Sequence, residues 1–168
     1  MPKIKADFRQ LRHFNQNLRV LANDAKPVLK WGVYDGLAVA ADALRASTAA
    51  LNTVSDGQSI QAYRMRTPTL INATQKAGLL AGLGISPIKE RGQLAVDGKA
   101  GFEGYNGIRT RRWPNGQPNI MIAASCEHGS SGMLPQPFIR RAYSTAAGRI
   151  REAMSAAAAE KIEEILNK

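Results

Sequence analysis

The strongest constraint on this chain is one long apolar stripe. Ile139, Ala142, Tyr143, Ala146, Ile150, Ala153, Met154, Ala157, Ile162 and Ile165 recur at helical spacing, which predicts one helix over the last part of the sequence. Pro135 and Pro137 bracket its start, and Pro137 suits a first turn, where its missing N–H is not needed. Four of these ten residues are alanine. The whole sequence is 44% hydrophobic but only 6% aromatic, so its core must rest on Ala, Leu, Ile and Val in flat, closely packed helices.

A second stripe follows Pro27, where Val33, Leu37, Ala40, Ala41, Leu44, Thr48 and Leu51 keep the i, i+3, i+4, i+7 pattern. Gly32 and Gly36 lie on it. They either weaken the helix, by up to about 1 kcal/mol each, or permit a close backbone approach; the sequence leaves both open. A shorter amphipathic segment precedes it, carried by Phe8, Leu11, Leu18 and Leu21, with Asp7 placed to cap it. Polar residues 52–57 end the second helix. Periodicity is then poor as far as Gly107, except for a short helix expected within Leu70 to Gly82.

The clearest β signal comes next. Residues 107–113 and 119–125 flank Pro114-Asn115-Gly116-Gln117-Pro118, and Asn-Gly tolerates the positive φ of a tight turn, so the flanks read as a hairpin. Its first arm alternates basic with uncharged residues, giving one positive face. Helix, sheet and helix in this order predict a single α+β domain over residues 1–168. A small antiparallel sheet should carry a long N-terminal and a long C-terminal helix, with 58–103 a less regular, insertion-like middle. A chain of 168 residues is long enough for this, burying roughly 70% of its unfolded surface without staples.

Lys and Arg total 23 against 13 Asp and Glu, a formal charge of +10 that favours polyanionic partners. One cysteine, Cys126, forms no internal disulfide. No apolar h-region marks the start, and no apolar run approaches the roughly 20 residues that cross a bilayer. The expectation is a cytoplasmic product that is later built into an assembly, with no membrane partner.

Catalytic parts are hard to assemble. Cys126-Glu127-His128 suggests a nucleophile and base, but on a strand Glu127 would point away from the other two. His13 is the only other histidine, too few for a metal set. Gly78, Gly82 and Gly84 do not complete a dinucleotide fingerprint, because Pro87 stands where its last glycine belongs. Four of the 13 acidic residues fall in the final helix, and no pair stands out for acid–base work. No enzyme activity, cofactor or metal is expected.

A competing expectation is a basic cytoplasmic DNA-binding regulator with a helix-turn-helix-like segment at 75–91. Gln75 to Ile88 has that outline, but Gly92 interrupts the second helix almost at once. Sequence-independent phosphate contact by Arg109, Arg111 and Arg112 beside Trp113 also fits the residues. The final helix carries Arg140, Arg141, Arg149 and Arg151 in its first half and Glu160, Glu163 and Glu164 near its end. Each group faces the unfavourable pole of the helix dipole. Two readings are open: inter-subunit pairing, with the basic half of one copy meeting the acidic end of another, or an order without consequence, because exposed charges are screened by salt.

Residues 104–119 (Gly-Tyr-Asn-Gly-Ile-Arg-Thr-Arg-Arg-Trp-Pro-Asn-Gly-Gln-Pro-Asn) lead to Ser125-Cys126-Glu127-His128-Gly129-Ser130 and then to Pro135-Gln136-Pro137-Phe138-Ile139-Arg140-Arg141-Ala142. This series resembles the siphophage tail-completion, or head–tail joining, family. That family shows a strand, an acidic Glu-x-Gly-Ser/Thr turn and a Gln-Pro-Phe-Ile/Leu-Arg-x-Ala lead-in to a C-terminal helix. Glu127, Gly129 and Ser130 match the turn, and Gln136 to Arg140 with Ala142 match the lead-in. Many relatives have proline where this chain has Arg141, and its middle segment is longer than the minimal pattern.

The resemblance implies a structural virion subunit that forms a ring, of six or more copies, at the tail end or neck. It would be located in the virion, and in the host cytoplasm during assembly. Its implied partners are further copies of itself and other tail, neck or connector proteins, with non-specific contact to DNA crossing the ring left open. Arg109, Arg111, Arg112 and Trp113 are the expected partner- or DNA-facing residues. Phe138 is expected to be a core anchor.

Overall fold

The computed structural model describes residues 8–92 and 95–167, with side chains from residue 16 onward. The expected cap Asp7, and the side chains of Phe8, Leu11 and His13, lie outside the described residues. Helix α1 (Phe8–Asn23) covers the expected first segment. Two long helices, α2 (Ala25–Ala49) and α6 (Phe138–Leu166), then form the backbone of the architecture.

They pack antiparallel. Ser47 near the end of α2 donates its hydroxyl to the carbonyl of Phe138 at the start of α6, at 2.8 Å. Gly32 and Gly36 near the beginning of α2 face Met154 and Ala158 further along α6. The two glycines are sites of close approach. A Cβ at Gly32 would stand 3.0 Å from the Met154 carbonyl oxygen, and one at Gly36 only 2.4 Å from Met154 Cγ. Alanines 40 and 41 on α2 and 142, 146 and 157 on α6 are buried, as the alanine-rich stripes require.

Beyond α2 come two short helices, α3 (Asp56–Met65) and α4 (Ala73–Ala81). Each begins with a capping box. Ser55 and Gln58 exchange side-chain and backbone hydrogen bonds at α3, and Asn72 and Gln75 do so at α4. Helix α4 occupies most of the segment expected to be helical, but α3 falls where no periodicity was visible. It buries none of its residues, so it has no apolar stripe to read.

Four three-residue strands follow: β1 (Leu83–Ile85), β2 (Lys89–Arg91), β3 (Ala95–Asp97) and β4 (Ala100–Phe102). β1 pairs antiparallel with β4, and β2 with β3, making two small two-stranded ribbons. The class is α+β, with long helices near both ends of the chain. The β structure is elsewhere than expected. It lies within 83–102, in strands too short and glycine-containing to show alternation.

The expected hairpin of 107–113 with 119–125 is not formed. Its second arm is helix α5 (Asn119–His128). Asn119, Ile122, Ala123, Cys126 and Glu127 are buried, at i, i+3, i+4, i+7 and i+8, so one helical face meets the core. Ile120 stays 69% exposed, although strand alternation would have placed it with Ile122 inside. Local β preference yielded to packing. The strand that the resemblance places before the acidic turn is accordingly a helix here.

The segment 75–91 likewise departs from helix-turn-helix geometry. Helix α4 runs directly into β1 and β2, so no second helix follows it to enter a groove of DNA. The apolar core joins Leu44 and Leu51 to Ile71, Leu79, Ile122 and Phe138. Phe138 is 2% exposed and packs on Phe102 with ring centroids 5.7 Å apart, an anchor as expected. Among the described residues no helix is long and apolar enough to cross a membrane.

Candidate functional site

The segment from Gly104 to Pro118 is a loop built on buried amides. Asn106 Oδ1 accepts the N–H groups of Ile108 at 2.9 Å and Gln117 at 3.2 Å, while the Asn106 N–H donates to the Gln117 carbonyl at 3.0 Å. Gln117 Oε1 accepts from both Asn106 Nδ2 and Gln75 Nε2, tying the loop to α4. Asn119 Nδ2 donates to the carbonyls of Gly78 and Glu103 at 2.9 and 2.7 Å. The Asn115-Gly116 turn is present, with Gly116 at φ 104°, but it folds the chain back onto Asn106 instead of joining two strands. A Cβ at Gly116 would meet the Asn106 carbonyl oxygen at 2.0 Å, so this turn requires glycine.

This base presents a second, tighter turn. The backbone N–H groups of Thr110 and Trp113 each donate to the other's carbonyl at 3.0 Å, and the Trp113 N–H also reaches Thr110 Oγ1. Arg111 and Arg112 occupy its tip and are exposed. The Arg112 guanidinium lies 5.3 Å from the centre of the half-buried Trp113 ring, a cation–π contact that keeps the charge at the surface. Arg109 is exposed at the foot of the same turn.

Opposite the turn stands α3, and between them runs an open groove of about 1190 Å³. Tyr63, Ile60 and Arg66 line one wall, Trp113, Arg111 and Arg112 the other, and Leu70, Ile108 and Met133 help form the floor. Tyr63 is 85% and Ile60 55% exposed, large values for apolar side chains on an ordered helix. Asp56 is the one carboxylate among the described lining residues, and it accepts a 2.8 Å hydrogen bond from Thr74. Arg64 adds a further exposed charge in the last turn of α3. Arg64, Arg66, Arg109, Arg111 and Arg112 form no ion pair among the described residues.

Arg66 is also the one non-glycine residue with positive φ among the described residues, at φ 54° and ψ 36°. It caps α3 in the left-handed region, where glycine or asparagine is normally found. An arginine there costs roughly 1–2 kcal/mol of backbone strain. Strain of this kind collects at binding sites. The structure thus joins three of the four expected partner-facing residues, Arg111, Arg112 and Trp113, to Tyr63, Ile60 and Arg66, which the sequence did not single out. The capping box at Ser55 was the signal available for α3.

The charged residues of α6 are not part of this groove. Arg140, Arg141, Arg149 and Arg151 are exposed and form no ion pair among the described residues, and Glu160, Glu163 and Glu164 are exposed further along. Glu164 pairs with Lys161 on its own helix. Arg140 and Glu163 are 23 residues apart on one continuous helix, about 35 Å at 1.5 Å per residue, so they cannot meet within one copy.

The Cys126-Glu127-His128 triplet has a structural explanation. It ends α5, with Cys126 fully buried, Glu127 buried and His128 exposed. The Glu127 carboxylate accepts the backbone N–H groups of Ile139 and Arg140 at 2.8 and 3.1 Å, capping the start of α6. This negative charge at the positive pole of α6 offsets the arginines that follow it. Burial, and secondarily the Glu127 charge, push the Cys126 thiol up to about 11, so it stays protonated at neutral pH. No group of three or more His, Cys, Asp or Glu suited to a metal ion occurs among the described residues. Comparison of the chain with family models, curated proteins and solved structures returns no match.

Proposed function

We propose that this protein is a structural, non-catalytic subunit of a tailed bacteriophage virion, acting in tail completion or head–tail joining as part of a ring. The observation that carries the reading is the run from Gly104 to Ala142 that resembles the siphophage tail-completion family. Several residues of that run have distinct structural roles in this chain. Glu127 caps α6, and Phe138 anchors the core. Gln136 exchanges two hydrogen bonds with the backbone of Asn52 at the end of α2. Asn106, Gln117 and Asn119 hold the loop that presents the arginines.

This arrangement locks a long two-helix frame and projects one charged, aromatic-walled groove from its end, a form suited to contact between subunits. Copies would be made in the host cytoplasm and built into the virion beside other tail, neck or connector proteins. Deleting the gene from the phage or prophage that carries it tests the reading. Heads and tails that accumulate unjoined, or tails with unfinished ends, are expected, with recovery when the gene is supplied in trans. Normal yields of infectious particles from the deletion would refute it.

A further inference from the structure

We infer that the groove between α3 and the Arg111–Trp113 turn receives the acidic end of α6 from a second copy of this chain. The inference rests on the ring reading and names the contact that would build the ring. The groove has two properties that ask for a partner. It carries a cluster of arginines with no ion pair among the described residues, and its walls expose Tyr63 and Ile60 and include the half-buried Trp113. Its occupant should therefore be acidic and partly apolar.

The same chain has such a surface at the other end of its long frame. Glu160 and Glu163 project from the last turns of α6, together with Glu164. Lys161, on a different face of the same turn, holds its ammonium over Trp31 of α2, 5.7 Å from the ring centre, and Leu166 at the end of α6 is exposed. The exposed carboxylates of Glu160 and Glu163 thus answer the groove arginines in charge, and Leu166 adds an exposed apolar side chain at the same helix end.

Geometry makes the contact intermolecular. The groove includes Met133, just before α6 begins, whereas Glu160 and Glu163 stand near its far end. A helix of 29 residues separates the two ends by about 40 Å. One copy cannot fill its own groove, so the match is head-to-tail. A contact of that kind is heterologous, and it closes into a ring when the rotation per subunit allows. It also modifies the simpler expectation for α6: its acidic end faces the groove arginines, with Arg140 and Arg141 at the neighbouring end of the same frame.

A charge-swap experiment on the full chain tests this. One variant carries Arg111→Glu with Arg112→Glu, the other Glu160→Lys with Glu163→Lys. Each alone should associate more than about tenfold more weakly than wild type, since like charges then face each other. An equimolar mixture should reassemble, because the reversed groove of one variant accepts the reversed tail of the other in alternation. Far-ultraviolet circular dichroism and melting check that each variant is folded. If reversal unfolds either chain, alanine replacements at the same sites should show the same loss in smaller measure.

Wild-type assembly with folded variants that still assemble, or a folded mixture that stays apart, overturns this contact and leaves the ring reading intact. Wild type that never associates overturns both. A groove variant that assembles normally but loses affinity for a DNA oligonucleotide also overturns it, assigning the groove to nucleic acid instead.

Discussion

Two residues show how local cost is exchanged for position. Glu127 is buried at the end of α5, yet its charge is used fully, because both carboxylate oxygens accept N–H groups from the first turn of α6. Removing it leaves those donors without an acceptor beneath several arginines. Glu127→Ala should lower stability by about 1–3 kcal/mol, and Glu127→Gln by less, since one amide oxygen still accepts. Chemical denaturation of both variants checks the order. Arg66 is the converse, a residue whose backbone is strained where its side chain lines the groove. Arg66→Gly should raise stability by about 1 kcal/mol while weakening self-association, a split visible by comparing melting with assembly. A variant less stable than wild type would show that Arg66 serves the fold instead.

Among elements, what was legible from the sequence depended on how one-sided each element's burial is. Helices α2 and α6 bury continuous stripes against each other, so Leu44, Ala142 and Ala146 announce them by spacing alone. Pro27 and Pro137 mark their beginnings for simple steric reasons. Helix α4 was legible on the same basis. Helix α3 was not, because it buries nothing, and a helix held by a capping box and a few tertiary contacts carries no apolar period. Helix α5 was misread because Ile120, Met121 and Ile122 after Asn-Gly satisfy a hairpin rule locally, while the burial of Ile122, Cys126 and Glu127 is a tertiary fact. The ribbons within 83–102 are too short for periodicity. The charge and the tryptophan of Arg109–Trp113 are visible in the sequence, but the groove's opposite wall belongs to α3, which has no apolar period. The close approach of α2 and α6 makes a further prediction at this scale. Gly36→Leu places carbon atoms where Met154 now lies and should cost about 1–3 kcal/mol, measured by thermal or chemical unfolding. A neutral effect would mean that the two helices have room to separate.

As a whole, the molecule is a long helical frame with different chemistry at its two ends. One end carries the groove, with Arg66, Arg111 and Arg112 on its walls, and the start of α6 with Arg140 and Arg141. The other carries the exposed Glu160 and Glu163. On the contact proposed above, such an object would associate in one direction, the property a ring subunit needs. The net charge of +10 also sets a condition on assembly, because self-repulsion opposes crowding of copies until specific pairs form. Raising salt from 0.1 to 1 M shortens the screening length from about 10 to about 3 Å, so the proposed pairing of Arg111 and Arg112 with Glu160 and Glu163 should weaken at high salt. The most direct test is absolute mass in solution by multi-angle light scattering across a wide range of protein concentration. A heterologous ring gives a mass that rises with concentration to a closed plateau of about six or more copies. A mass fixed at one copy throughout, or at a two-fold dimer that shifts DNA, would contradict it.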